Sequence, residues 1–312
     1  MRRPVTDLPR TVFDRADWAR LGSAEPPPVD AEELGRLRGR NEPVGFAEVA
    51  EVYRPLAQLV ELRCAADRDR CAATAGFLGR PTPRRPFVLG LAGSVAAGKS
   101  TTARILQALL ARRRAHAVDI VATDGFLLPN RVLEQRNLLQ RKGFPESYDR
   151  KALIRFLLEL RSGAPEVLAP VYDHVSYDVR PGERQVLRSP DIVIVEGLNL
   201  LQPPVRRRDG GLFVSDLLDF TVYVDAAEGD LRRWYVERFL GLRGSAFADP
   251  RSYFTRYATL SDAEAKATAR HIWDTVNAVN LRENIASTRE RADVLLRKGP
   301  AHAVEAVSLR RG

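Results

Sequence analysis

The densest chemical signal in the chain is Gly93-Ser94-Val95-Ala96-Ala97-Gly98-Lys99-Ser100, followed by Thr101. Its pattern, G-x-x-x-x-G-K-[ST], is that of a phosphate loop. The two glycines let the backbone curl until its N–H groups converge on phosphate oxygens. The helix that follows the loop adds the positive end of its dipole. Lys99 would reach the β- and γ-phosphates, and the Ser100 hydroxyl would ligate Mg²⁺. The loop points to a nucleotide but not to a reaction, because motors, GTPases, helicases and kinases share it.

Two carboxylates stand where such a loop needs them. Asp124 follows the apolar stretch 118–123 and precedes Gly125-Phe126; Glu196 follows 191–195 and precedes Gly197-Leu198-Asn199. A carboxylate at the end of a strand beside the loop can hold Mg²⁺, directly or through water, or accept the proton of an attacking hydroxyl. Asp225 occupies a similar position without a following glycine, and either a structural or a functional role fits it. The segments 142–149 and 170–178 are turn-rich yet carry aromatics, among them Tyr172, His174 and Tyr177, which suggests a small-molecule pocket. Tyr235, Arg238 and Phe239 share one helical face, where Arg238 either clamps a transferring phosphoryl group or pairs with Glu237 or a neighbouring acid. The run Arg206-Arg207-Arg208 reads as a solvated loop.

Positioning these groups requires strands and helices in alternation. The run 87–92 is continuously apolar and bounded by turn residues, as expected of a strand buried on both faces. Further strands are expected at 118–122, 191–195, 220–224 and 292–297. Helices are expected after Lys99, ending in Arg112-Arg113-Arg114, and at 151–161, 230–242 and 262–279. This order predicts an α/β fold around a mainly parallel sheet flanked by helices. Residues 1–85 read as a helical and connective extension packed on a core formed by 86–312. Within it Pro26-Pro27-Pro28 breaks the chain, Asp30 caps a helix, and one or two helices cover 46–78.

The chain has 312 residues, 45% of them hydrophobic, which is enough for a sizeable core and excludes wholesale disorder. Lys and Arg total 49 against 40 Asp and Glu; the resulting +9 favours anionic partners without selecting among them. The two cysteines, Cys64 and Cys71, fit neither a disulfide framework nor a metal pattern. The N-terminus lacks the apolar stretch of a signal peptide, and no run approaches a membrane span, so a cytoplasmic location is expected. A nucleic-acid-binding ATPase would suit the charge. No basic stripe with interleaved aromatics is present, and no nucleic-acid or membrane partner is expected.

Taken in order, GSVAAGKSTTARILQALL from Gly93, TDGFLLPN from Thr123, KGFPESYD from Lys142, PVYDHVSYDV from Pro170, DIVIVEGLNLLQ from Asp191, WYVERFLGLR from Trp234, AFADPRSYFTRYA from Ala246 and NIASTRERADVLL from Asn284 make the chain similar to the bacterial type I pantothenate kinases. These are P-loop kinases related to uridine kinase and phosphoribulokinase. The resemblance runs from about residue 45 to the C-terminus and implies a P-loop NTPase fold. It further implies ATP-dependent phosphorylation of the primary hydroxyl of pantothenate, the first step of coenzyme A synthesis. On this resemblance Asp124 is the catalytic base, and Lys99 and Ser100 hold the phosphates and Mg²⁺; Glu196 stays a candidate Mg²⁺ ligand, directly or through water, from its place at the strand end. Arg238 neutralises the transferred group. Tyr172, His174, Tyr177, Tyr235, Phe254, Tyr257 and Asn277 line the substrate pocket, and Asn41 and His302 lie at the adenine end. The family is homodimeric and inhibited by coenzyme A, for which Arg104, Lys99 and His174 match the contact positions. Two departures stand out: Leu242 where many relatives carry phenylalanine, and Asp173 where serine is common. An extra carboxylate at 173 is expected to weaken binding of anionic groups. A related kinase for another hydroxyl substrate would keep Lys99 and Asp124 but need a different pocket.

Overall fold

The computed structural model describes residues 9–22, 29–39, 42–114, 116–203 and 211–311. Pro26-Pro27-Pro28 and Arg206-Arg207-Arg208, singled out in the sequence, lie outside them. Nine strands are present among the described residues: β1 (Arg10–Asp14), β2 (Phe87–Gly93), β3 (Val118–Ala122), β4 (Glu166–Asp173), β5 (Asp178–Arg188), β6 (Ile192–Gly197), β7 (Phe220–Ala226), β8 (Val294–Lys298) and β9 (Val304–Arg310). Seven form one sheet in the order β1-β9-β8-β7-β2-β6-β3, and β4 and β5 form a separate hairpin. The five strands from β8 to β3 run parallel, while β9 and β1 add on antiparallel at one edge.

The central strand behaves as its composition requires. Every residue of β2 is buried, with β6 on one side and β7 on the other. The helices are α1 (Arg15–Arg20), α2 (Ala31–Leu37), α3 (Phe46–Glu48), α4 (Arg54–Phe77), α5 (Lys99–Arg114), α6 (Asn130–Gln135), α7 (Arg150–Arg161), α8 (Glu228–Arg243), α9 (Asp262–Ile272) and α10 (Ala278–Asn280). The expected Asp30 cap is present: its carboxylate accepts from the Glu33 N–H at 2.8 Å. Helix α7 is capped in the same way by Asp149 and buries Leu153, Phe156, Leu157 and Leu160 at i, i+3, i+4 and i+7. One wider π turn (Val49–Tyr53) joins α3 to α4, so 46–77 forms a continuous helical stretch.

Three elements depart from the sequence reading. Residues 1–85 are not purely helical and connective, because Arg10–Asp14 is an edge strand paired with β9. What holds it is distant in sequence: the Arg10 guanidinium donates to the carbonyls of Ala292 (2.9 Å) and Asp293 (3.3 Å). The C-terminal stretch 304–310 supplies β9, and the segment 166–188 folds as the β4–β5 hairpin, with the aromatics of 172–177 at its tip. A small second core of Phe239, Phe247, Ala265 and Ala269 sits where α8 meets α9, with Tyr235, Leu242, Phe254 and Tyr257 packed against it. Among the described residues no helix is long and apolar enough to cross a membrane.

Candidate active site

Parallel strands deliver their carboxyl ends to one edge of the sheet, and that edge gathers the predicted groups. The phosphate loop leaves β2 and enters α5 directly. Gly93 (φ +143°), Ala96 (φ +63°) and Gly98 (φ +94°) place left-handed residues among right-handed ones, a geometry that turns successive N–H groups inward. Gly93 cannot carry a side chain, since a Cβ there would lie 2.6 Å from the Val224 carbonyl of β7. Ala96 holds the same region at a steric cost, the kind of local strain found at binding sites. The Lys99 ammonium donates to the carbonyl of Ser94 at 2.9 Å, within its own loop. Burial pulls the Lys99 pKa down, opposed by the charges of Glu196 and Asp124 and reinforced by that of Arg238. These four groups therefore share one electrostatic site.

The carboxylates are brought together by register. Ala122 of β3 pairs with Glu196 of β6, so Asp124 emerges just beyond the carboxylate of its neighbour strand. The glycines that follow the two acids now have a physical reason. A Cβ on Gly197 would overlap the Thr123 side chain, and one on Gly125 would collide with the Pro170 carbonyl of β4. Both glycines permit backbone or side-chain approaches that fix the acids beside them. Ser100 Oγ donates to Glu196 Oε1 at 2.7 Å. This hydroxyl–carboxylate pair supplies hard oxygen donors, and no cluster of three acidic, His or Cys ligands exists among the described residues. A donor set this small fits Mg²⁺, which usually keeps substrate phosphates and water in most of its positions. Tyr148 donates to Asp124 Oδ1 at 3.4 Å, and burial with the nearby Asp124 charge pushes the phenol well above its ordinary range. Asp225 instead faces Arg289 at 3.7 Å and belongs to the framework.

Beside Asp124 the predicted aromatic residues form a continuous wall. The Tyr172 ring meets His174 edge-on at 5.1 Å and Tyr177 at 6.2 Å; Tyr177 meets Phe254 at 4.7 Å, and Phe254 stacks on Tyr257 at 5.9 Å. Tyr235 hydrogen-bonds with Asn277, and burial pushes its phenol up to about 12. Arg238 is exposed near Lys99 and Tyr235, and it forms no ion pair with any described residue. The alternative of a pair with Glu237 finds no support, because that carboxylate faces Arg233 (3.9 Å) and His302 (4.0 Å).

Lys142 and Asn130 belong to this wall, although nothing in their residue types announces it. Lys142 Nζ donates to Asn130 Oδ1 at 2.6 Å and to the Tyr177 carbonyl at 2.5 Å, and it lies over the rings of Tyr177 (4.1 Å) and Tyr172 (5.0 Å). Burial pulls its pKa down to about 8. The only available signal is that both residues lie within conspicuous segments, KGFPESYD and TDGFLLPN.

His302, expected at the adenine end, lines a cavity of ≈ 710 Å³ together with Gly35, Arg38, Gly39, Glu42, Pro43 and Glu237. His302 stacks on Trp234 with centroids 4.0 Å apart; burial and the nearby Lys298 cation hold its pKa down, which keeps the ring neutral. Asn41 lies outside the described residues. Arg104 and Thr101 turn toward the N-terminal segment rather than standing free. Arg104 Nε donates to the Leu37 carbonyl at 2.7 Å, and Thr101 Oγ1 accepts from the Gly39 N–H at 3.0 Å. Asp173 is held by its own turn. Its carboxylate is taken up by the hairpin turn, accepting from the N–H groups of Val175 (3.0 Å) and Ser176 (3.2 Å) and the Ser176 hydroxyl (2.8 Å). Led by the Val175 N–H, these bonds hold its pKa down to about 2.

Comparison with known proteins places this site in a family. Residues 88–248 match the model of the phosphoribulokinase / uridine kinase family. A pantothenate kinase from Sorangium cellulosum is 56% identical over 301 residues, covering 96% of this chain and 97% of that one. Another, from Mycolicibacterium smegmatis, is 52% identical over 316 residues and covers all of both chains. Among solved structures, a D-glycerate 3-kinase from Cryptococcus neoformans superposes with a TM-score of 0.56 at 14% identity. It covers 81% of this chain and 97% of its own, a likeness of fold alone. With full-length identity above half and the family model matching the segment from the phosphate loop through β7 and α8, the chain belongs to the phosphoribulokinase / uridine kinase family, in the branch formed by pantothenate kinases.

Proposed function

We propose that the protein transfers the γ-phosphoryl group of ATP to the primary hydroxyl of pantothenate, forming 4'-phosphopantothenate, the opening step of coenzyme A synthesis. The observation that carries this reading is the convergence of Lys99, Ser100–Glu196 and Asp124 on one sheet edge, beside the wall of Tyr172, Tyr177 and Tyr235. A primary alcohol is a poor nucleophile near pH 7, so a carboxylate that accepts its proton late in the transfer lowers the barrier. Asp124 is that carboxylate, with the Tyr148 hydroxyl fixing its orientation. Lys99 exchanges the Ser94 carbonyl for phosphate oxygens, and exposed Arg238, with no ion pair among the described residues, meets the charge on the transferred group. Ser100 and Glu196 would hold Mg²⁺, which when bound neutralises charge on the β- and γ-phosphates. The aromatic wall, with the Tyr235–Asn277 pair, would take the pantoyl and β-alanyl parts of the substrate.

The same reading includes coenzyme A as a feedback inhibitor over Lys99, Arg104 and His174, a homodimeric state and a cytoplasmic location. The first two rest on the resemblance of the sequence motifs alone, and the location on the hydropathy of the sequence. The proposed transfer is tested by ADP release from the purified protein with Mg²⁺-ATP, with and without pantothenate, with Lys99→Ala as control. Pantothenate-dependent release that disappears in the control is expected. ATP binding without stimulation by pantothenate would transfer the site to another hydroxyl substrate.

A further inference from the structure

A second cavity, of ≈ 430 Å³, opens behind the wall that carries Asp124, and none of the residues assigned above to nucleotide, metal or substrate lines it. Its size lies in the range of small-molecule sites. Leu153 of α7, Leu200, Phe213 and Val214 give it an apolar interior. Most of its polar lining is already committed. Asn199 donates to the Gly143 carbonyl at 2.9 Å, Gln202 donates to the Asn284 carbonyl, and Glu146 takes the guanidinium of Arg141. One charge is left over. Arg150, exposed at the mouth, forms no ion pair with any described residue, while the neighbouring Asp149 is occupied in capping α7. An apolar interior with one uncompensated guanidinium at its lip selects a small amphipathic carboxylate, body inward and head on Arg150.

The cavity reaches the chemistry through Tyr148 and Thr123, both in its lining. Tyr148 donates to Asp124 Oδ1, and Thr123 precedes Asp124 in the chain. The loop bearing Tyr148 is stitched to the Asp124 segment by Leu128 N–H to the Ser147 carbonyl and Asp149 N–H to the Phe126 carbonyl, each 2.8 Å. A ligand pressed against Tyr148 therefore acts on a unit that includes Asp124. We infer that this cavity is an effector site for a small monocarboxylate with an aromatic or branched apolar body. Its occupancy lowers turnover through Tyr148 and Asp124 and leaves nucleotide affinity unchanged. The binding stands on the cavity itself; the kinetic consequence rests on the reading of Asp124 as the base.

The probe is 3-phenylpropionate, added to the full-length protein with a non-hydrolysable ATP analogue and pantothenate at saturation, and followed by saturation-transfer NMR. Binding with Kd of about 1 mM or tighter is expected, weakened at least about tenfold by Arg150→Ala and by Val214→Trp, which fills the interior. In initial-rate assays the probe is expected to lower kcat at unchanged KM for ATP in the wild type and to lose that effect in both variants. Displacement of the probe by pantothenate, equal binding by wild type and variants, or no binding up to about 10 mM each overturns the site. Binding that leaves kcat unmoved overturns the coupling alone. Should Val214→Trp fail to fold, Arg150→Ala decides the comparison, and the NMR result holds whichever hydroxyl substrate the enzyme proves to use.

Discussion

Gly197→Ala places a methyl group where Thr123 already sits. The new Cβ would lie on the Thr123 hydroxyl and 2.9 Å from both Cβ and Cγ2 of that residue, against an ordinary contact of 3.4 Å or more. Relief requires the ends of β6 and β3 to part by roughly 0.5–1 Å, an overpacking that costs about 1–3 kcal/mol. Glu196 precedes Gly197 and Asp124 follows Thr123, so both carboxylates ride on the displaced backbone. A misplacement of about 1 Å at reacting groups costs on the order of 10²-fold in rate. Gly197→Ala is therefore expected to lower both the urea midpoint and kcat, with binding of nucleotide alone much less affected. Thr123→Ala removes Oγ1 and Cγ2, two of the three nearest atoms to the new methyl, so the double variant is expected to recover part of both losses. The cycle should show a coupling of about 1–2 kcal/mol in stability. Denaturant titrations and ADP-release rates on the four proteins measure it. Wild-type turnover in Gly197→Ala, or zero coupling in the cycle, would refute the claim that this contact sets the position of the acids.

Two further expectations follow from the same geometry. Asp124→Asn keeps shape and the Tyr148 contact but cannot take a proton, so kcat should fall by roughly 10²–10⁴-fold while ATP affinity stays near wild type; turnover within about tenfold would remove Asp124 from the mechanism. Lys142 is a base whose folded-state pKa, about 8, lies below its ordinary 10.5 because of burial. Between those values the unfolded chain binds more protons, so stability rises with pH across the window, and the full cost of the buried charge is present below about 8. Relative to Lys142→Met, the wild type should gain at most about 3 kcal/mol between pH 7.5 and 10.5. A difference that stays constant or shrinks in urea titrations at the two ends would show that burial does not disfavour this ammonium.

How much of this is legible in the sequence depends on whether the cause is local. Strand β2 is legible because its run of apolar residues is buried at every position. The acids at the ends of β3 and β6 are legible because glycine follows each, and glycine is there for contacts a reader can anticipate in kind. Strand β1 is not. Val12 is 67% exposed, and the strand is held by Arg10 reaching carbonyls at 292 and 293, nearly the whole chain away. Lys142 is hidden for the same reason, since its partners Asn130 and Tyr177 meet it only after the β4–β5 hairpin has folded back. Asp173 shows the converse. Its negative charge is plain from the residue type, but the three hydrogen bonds that fix the carboxylate in its own turn are revealed only by the backbone path.

The side chains proposed to meet phosphate and metal also hold acceptors of the protein itself, and that bears on what phosphate binding can contribute. Lys99 holds the Ser94 carbonyl, Ser100 holds Glu196, and Arg104 holds the Leu37 carbonyl. On the proposed reading each would exchange a protein acceptor for a phosphate, substrate or metal partner, so its net contribution is a difference between two hydrogen-bonded states rather than the full strength of the new one. Preorganisation gains what ground-state affinity loses, since these side chains are already held at the sheet edge. Arg238 differs from the other three. It is exposed, pairs with no described carboxylate, and lies within the field of Lys99. On the proposed reading its charge would be available without exchange, and the charge on the transferring phosphoryl group is where such a cation would contribute to rate rather than to binding.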